Sequence, residues 1–297
     1  MKKILLILFI ASISFAQSAG SSGLSFLKTG FNARNIAMGD FGVATANDVS
    51  ALYYNPALIA DYTTPQLTFT HNAWIQDVNS ENFGASFKAL GLPFAFGVNT
   101  TSISEIEVRT RPGEAQSTFN AHYFYGSLST GFYLTDKIST GVTVKYLYEG
   151  LFSDDATGWG FDFGLRYKDV IEGFDIAASY SNVGSMNKLR NETTELPSDL
   201  RVGAAYNFNV SQIQSDVVIT GGIQKYTQTD DTHIHFGAEI FYDNLIALRG
   251  GYMSGYDSKG LTAGLGLLWN SINFDYAFVP FDYGLGESHI ISLMYTF

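Results

Sequence analysis

The chain of 297 residues has no cysteine, is 15% aromatic but only 15% charged, and contains 30 glycines. Its 17 lysines and arginines face 28 carboxylates, for a formal charge of −11. These figures exclude a disulfide-stapled domain, a thiolate-held metal site and a cysteine nucleophile, a disordered chain, which would be charge-rich and aromatic-poor, and, with no basic stripe, a nucleic-acid binder.

Lys2 and Lys3 precede an apolar run over residues 4–16 that ends in Ser14-Phe15-Ala16 before Gln17. A short positive start, an apolar stretch and a small-x-small site predict a secretory signal peptide over 1–16. The run is too short for a membrane anchor of about 20 residues, and no Cys follows for a lipid anchor. No later stretch has 18 consecutive apolar residues, so no transmembrane helix is expected. An exported chain of this kind is either soluble or a β-barrel.

Residues 20–62 do not alternate. Asn47-Asp48 before Val49-Ser50-Ala51-Leu52 is placed to cap a short helix, and Asn55-Pro56 breaks it, because the residue before proline avoids the α region. The segment is largely uncharged and carries Phe31, Ile36, Met38, Leu52, Tyr53 and Tyr54, which favour burial. A plug inside a barrel, residues 17–63, is therefore expected over a periplasmic tail.

From Gln66 the period is two. Phe161, Phe163, Leu165 and Tyr167 alternate with Gly160, Asp162, Gly164 and Arg166; Ile234, Phe236, Ala238 and Ile240 alternate with His233, His235, Gly237 and Glu239. Successive strand side chains point to opposite faces. One face is bulky and apolar, the other small or polar with few charges. A soluble sandwich would carry far more charge outside; a lipid-facing barrel with a polar lumen fits.

Fourteen strands are predicted over 66–75, 81–90, 92–101, 118–133, 137–149, 157–168, 172–182, 199–209, 215–226, 231–242, 245–256, 259–269, 271–280 and 287–297. Most approach the roughly 9–11 residues of a tilted membrane strand. The fold class is thus all-β: a transmembrane antiparallel barrel over 64–297 with an N-terminal hatch. With the first strand running outward, residues 102–117, 150–156, 183–198 and 281–286 are outer loops; residue 91, 135–136, 243–244 and 270 are short periplasmic turns, the asymmetry usual in such barrels. Residues 210–214 make a longer periplasmic turn, and 102–111 is readable as a hairpin arm. Phe132, Tyr133, Tyr167, Phe208, Phe241, Tyr242, Trp269 and Tyr295 fall where a periplasmic aromatic girdle belongs. The last strand ends on Tyr295 and Phe297, which looks like a recognition signal for the barrel-assembly machinery.

A resemblance accompanies this reading. Phe26-Leu27-Lys28-Thr29-Gly30, Ala33-Arg34, Met38-Gly39 and Asn47-Asp48 through Tyr54-Asn55-Pro56-Ala57 resemble the N-terminal signature of the PorV/PorQ proteins, outer-membrane barrels related to the fatty-acid transporter FadL. Ser181-Asn182-Val183-Gly184 with Leu196-Pro197, residues 201–206, and Asp275-Tyr276-Ala277-Phe278-Val279-Pro280-Phe281 with Gly284, Gly286 and His289 also fit. The resemblance implies a fourteen-stranded barrel with a hatch, a non-enzymatic role in type IX protein secretion, and a translocon and secreted cargo as partners. A FadL-like channel for a hydrophobic small molecule is the alternative.

No P-loop, GxSxG or HExxH motif occurs, and neither a metal nor a cofactor is expected. His233 and His235 share a face but lack an evident third ligand, so lumen polarity is the preferred reading. Lys145, Asp162, Arg166, Arg201, Glu239, Arg249 and Asp275 all fall on the lumen face, where charges must pair or meet water; an internal ion-pair network is expected. Arg109 and Arg111 lie in an outer loop, solvated or against lipopolysaccharide phosphates. Outer-membrane lipid and lipopolysaccharide are the expected surroundings.

Overall fold

Strict alternation from Gln66 onward leaves the backbone one way to satisfy its hydrogen bonds beside lipid, which is to close a sheet on itself. The structure, a computed structural model, describes residues 23–229 and 231–297; the expected signal peptide, 1–16, lies outside the described residues. Fourteen of the described strands form a closed antiparallel barrel. They are β1 (Gln66–Ala73), β2 (Val78–Ala89), β3 (Leu92–Val108), β4 (Ser117–Tyr133), β5 (Ile138–Leu151), β6 (Asp154–Ile171), β7 (Phe174–Met186), β10 (Asp199–Val210), β11 (Ser215–Tyr226), β12 (Thr232–Tyr242), β13 (Ile246–Ser254), β14 (Leu261–Trp269), β15 (Ile272–Pro280) and β16 (Glu287–Thr296). A two-residue pair, β8 (Lys188–Leu189) and β9 (Glu192–Thr193), stands apart from the wall. Closure is made by β1 against β16, in register from Gln66 opposite Thr296 to Ala73 opposite His289.

The two faces separate as the alternation requires. Phe69, Phe163, Ile219, Phe236, Leu265 and Leu293 point outward and are exposed, whereas Thr70, Asp162, Thr220, His235, Asp275 and Ser292 point inward and are buried. Expected girdle residues Phe132, Tyr133, Tyr167, Tyr242, Trp269 and Tyr295 are exposed on the outer face; Phe208 and Phe241 are half-buried. Register is fixed because a one-residue slip would turn every apolar side chain into the lumen.

The strands depart from expectation at the outer rim. Residues 102–111 are not a loop through Val108: β3 continues to that point and pairs with Ser117–Phe119 of β4, after an irregularity between Ile103 and Ile106. Residues 150–156 are not a loop either, since Gly150 and Leu151 pair with Asp155 and Asp154. β7 likewise runs on to Met186. β3, β4 and β6 reach 17, 17 and 18 residues, well beyond a bilayer crossing of roughly 9–11, while β13, β14 and β15 have 9 each. One sector of the wall therefore projects past the membrane. The expected long periplasmic turn at 210–214 contains a 3-10 turn, Ser211–Ile213.

The lumen is filled by the N-terminal segment. It contains a 3-10 turn (Ser25–Lys28), the helices α1 (Ala33–Ala37) and α2 (Ala51–Tyr54), and a second 3-10 turn (Pro56–Asp61). Asn32 caps α1 by accepting from the Asn35 N–H at 3.1 Å. The cap expected from Asn47-Asp48 falls to Ser50, whose N–H is in turn held by Asp48 at 2.9 Å. α2 stops where Asn55, before Pro56, turns extended. Phe31, Ile36, Met38, Leu52, Tyr53, Tyr54 and Ile59 are all buried.

Candidate functional site

The lumen face is small because it is a seat for the hatch. In four places glycines that stand opposite each other on neighbouring strands meet the hatch: Gly84 and Gly97, Gly141 with Gly131 and Gly164 on either side, Gly203 and Gly222, Gly237 and Gly251. Each of these places makes a notch for one piece of hatch. Val49 and Leu52 sit in the first, Pro56 in the second, Phe41 in the third and Met38-Gly39 in the fourth. A Cβ on Gly141 would overlap the Pro56 carbonyl, and one on Gly251 would overlap the Gly39 nitrogen. Glycine allows this backbone-to-backbone approach. The sequence signal was the glycine excess itself, but only strand register shows that the glycines pair.

A Cβ at Gly250 meets only the Thr262 carbonyl at 4.0 Å, which provides an internal control. Gly251→Val is expected to lower barrel stability by about 1–3 kcal/mol, as overpacking does, and to expose the hatch to protease. Gly250→Val should leave both properties unchanged. Limited proteolysis of the two variants in detergent checks this.

Small polar lumen residues bond the hatch backbone directly. Ser292 Oγ accepts from Ala33 N–H at 2.8 Å. Thr262 Oγ1 accepts from Gly39 N–H at 3.1 Å and donates to the Ala37 carbonyl at 2.9 Å. Ser139 donates to the Ala57 carbonyl at 2.9 Å, and Thr143 to that of Leu52 at 3.2 Å. His235 Nδ1 lies 2.7 Å from the Gly39 carbonyl, and its ring stacks on Phe41; His233 stacks on Tyr256 at 3.8 Å.

The motif residues hold the hatch together and tie it to the wall. Arg34 reaches Glu239 through two nitrogens, at 2.7 and 3.0 Å, and donates to the Thr45 carbonyl and to Asn47. Burial acts to lower the Arg34 pKa, but the adjoining Glu239 outweighs it and holds the guanidinium above its ordinary range. Asp48 accepts from Asn32 at 2.7 Å. Asn55 donates to the carbonyls of Val43 and Leu165 at 2.8 and 3.3 Å and accepts from Ala57 N–H at 3.0 Å. Tyr54 donates to Asp40 at 2.7 Å; burial pushes that carboxyl's pKa up.

The seven expected lumen charges are all buried, yet they form four groups rather than one network. Glu239, Arg249 and Asp275 join, with Arg249 to Asp275 at 2.6 Å, and Arg34 of the hatch completes this group. Lys145 pairs with Asp162 at 2.7 Å and donates to Asn182 at 2.8 Å. Arg201 pairs with Asp199 at 2.7 Å. Arg166 pairs with Asp61 of the hatch at 2.7 Å and approaches Asp175 at 3.7 Å. The partners Asp61, Asp175 and Asp199 escaped the sequence reading. Asp199 and Asp175 carried a signal, the first lying two residues before Arg201 on the same face and the second in step with Ala177, Ser179 and Ser181; Asp61 carried none. At the other end of the chain, Phe297 N–H donates to the Pro65 carbonyl at 3.2 Å and its ring meets Tyr295 edge-on. Arg109 is held by Glu107 and the Gly113 carbonyl in the outer hairpin.

The hatch separates two cavities. On the outer side is a vestibule of about 510 Å³, walled by Phe26, Lys28, Trp74, Tyr123, Tyr226, His233, Tyr256 and Lys259, with Ser80 and Thr101 in the same wall. On the periplasmic side is a polar cavity of about 210 Å³, bordered by Arg34, Asp48, Glu239 and Arg249.

No protein-family model and no curated protein matches the chain. Solved structures do. The Ralstonia pickettii toluene transporter TbuX is similar at a TM-score of 0.62 and 16% identity, over 90% of this chain and 98% of that one. The Pseudomonas putida toluene transporter TodX gives 0.61 at 14%, over 90% and 98%. The monoaromatic hydrocarbon channel CymD gives 0.58 at 14%, over 90% and 97%. The chain shares the fold of these barrels, and its closed fourteen-stranded wall with an apolar outer face is that of a bacterial outer-membrane protein.

Proposed function

We propose that the protein is a passive outer-membrane channel for small, largely apolar aromatic molecules, which enter through the outer vestibule and pass the hatch. The vestibule carries this reading. It is a cavity of about 510 Å³ in which the rings of Phe26, Trp74, Tyr123, Tyr226 and Tyr256 stand among polar and charged side chains, within the usual size of small-molecule sites. The fold it shares with hydrocarbon transporters supports the reading by analogy. The secretion role implied by the hatch motif has no observation of its own behind it. Arg34, Tyr54, Asn55 and Pro56 of that motif are engaged in seating the hatch, which accounts for their presence without a secretion partner.

The test is uptake of labelled toluene by cells with an intact lipopolysaccharide leaflet that express this chain. Expression should raise the initial rate. Ser80 is buried in the vestibule wall with its hydroxyl 2.7 Å from that of Thr101. Ser80→Trp, which fills the cavity, should cut uptake by about threefold or more at equal barrel levels, because a pocket filled by an indole has no room for the ligand. A rate independent of expression, or untouched by Ser80→Trp, would refute the channel.

A further inference from the structure

Two ammonium groups flank the vestibule. Lys28 Nζ lies 4.7 Å from the centre of the Tyr226 ring. Lys259 Nζ lies 4.4 Å from that of Tyr256 and 5.4 Å from that of Trp74. Between the lysines the rings are continuous: Tyr226 meets His233 edge-on at 5.6 Å, and His233 stacks on Tyr256 at 3.8 Å. Among the described residues no carboxylate comes within ion-pairing distance of either lysine. Asp231 is the acid on the cavity wall, and Asp40 and Asp199 act on the lysines only from longer range. Burial lowers the pKa of both lysines, so each gives up hydration without gaining an ion-pair partner.

Aromatic faces attract cations, but here the chain's own lysines occupy those faces. What the cavity leaves unmet is a negative charge beside a flat apolar surface. We propose that the vestibule selects small aromatic carboxylates, the ring packing among the aromatic side chains of the wall and the carboxylate pairing with Lys259 or Lys28. This rests on the channel reading and names its substrate class. A neutral aromatic would gain that apolar packing alone. A carboxylate adds a charge-assisted hydrogen bond, worth about tenfold or more in affinity.

The probes are benzoate and its neutral isostere benzamide, measured by equilibrium dialysis against the full chain in detergent. Benzoate should bind about tenfold tighter than benzamide. Lys259→Gln or Lys28→Gln should remove most of that advantage and leave benzamide binding unchanged, whereas Lys259→Arg should keep it. Equal binding of the two probes to the unaltered protein overturns the inference, and that comparison decides even if a lysine variant fails to fold. An unchanged preference in a folded double Lys→Gln variant overturns it as well. Expression-dependent toluene uptake with no benzoate preference would sink this inference alone; absence of such uptake would sink the channel reading too.

Discussion

Deleting residues 23–61 is expected to turn a nearly closed barrel into an open pore. The wall hydrogen bonds run strand to strand around the full circle, so closure does not depend on the hatch. The lumen side chains freed by the deletion are small or ionic and tolerate water. A barrel of eight strands is filled by its own side chains, while sixteen-stranded porins hold an aqueous channel. Fourteen strands lined by glycine, serine and threonine lie near the open end of that range. Planar-bilayer recordings should show conductance at least about tenfold above that of the intact chain. Unchanged conductance would mean that something other than this segment blocks the lumen.

Glu239→Gln is expected to be the most damaging single change in the wall. Glu239 is shared by Arg34 of the hatch and Arg249 of β13, and Arg249 is shared in turn with Asp275. Two arginines and two acids balance in a buried space. Removing one carboxylate leaves an uncompensated cation there, which costs about 3–5 kcal/mol when a buried pair is broken. Denaturant unfolding in detergent should show that loss, and Arg34 should lose its main anchor, making the hatch more protease-sensitive. Asp154, which pairs with Arg190 on the exposed outer rim, supplies the contrast. Asp154→Asn should change stability by less than about 1 kcal/mol, as exposed pairs do.

Much of this architecture was legible in the sequence because a two-residue period is a local signal. Each strand from Gln66 to Phe297 states its own faces, and lipid demands closure, so the fourteen segments and their inside–outside sense follow. The rim was less legible. The alternation of residues 102–108 falls out of step between Ile103 and Ile106, and residues 150–156 carry none, because above the membrane both faces of a strand meet water; the period that identifies a lipid-facing strand is broken there although the pairing continues. The site was least legible. Lys145 and Asp162 were recognisable as lumen charges from strand phase, but their pairing depends on strand neighbours and register. Asp61 and Asp40 belong to an irregular segment with no period at all. The matched glycines of β5 and β6, or of β12 and β13, look in sequence like weak strand positions. Only when Gly141 faces Gly164, or Gly237 faces Gly251, do they become a seat for a specific stretch of backbone.

Everything above depends on which side chains meet lipid and which meet the lumen, and the lack of native cysteine allows that to be read directly. Single cysteines placed along β11 from Val217 to Gln224 would be nitroxide-labelled in lipid bilayers and their collision with oxygen measured. Labels at Val217, Ile219, Gly221 and Ile223 should be oxygen-accessible, and those at Val218, Thr220 and Gln224 oxygen-poor, in step with a period of two; Gly222, the seat of Phe41, is left unlabelled. A flat profile, or the opposite phase, would contradict the barrel and everything built on it.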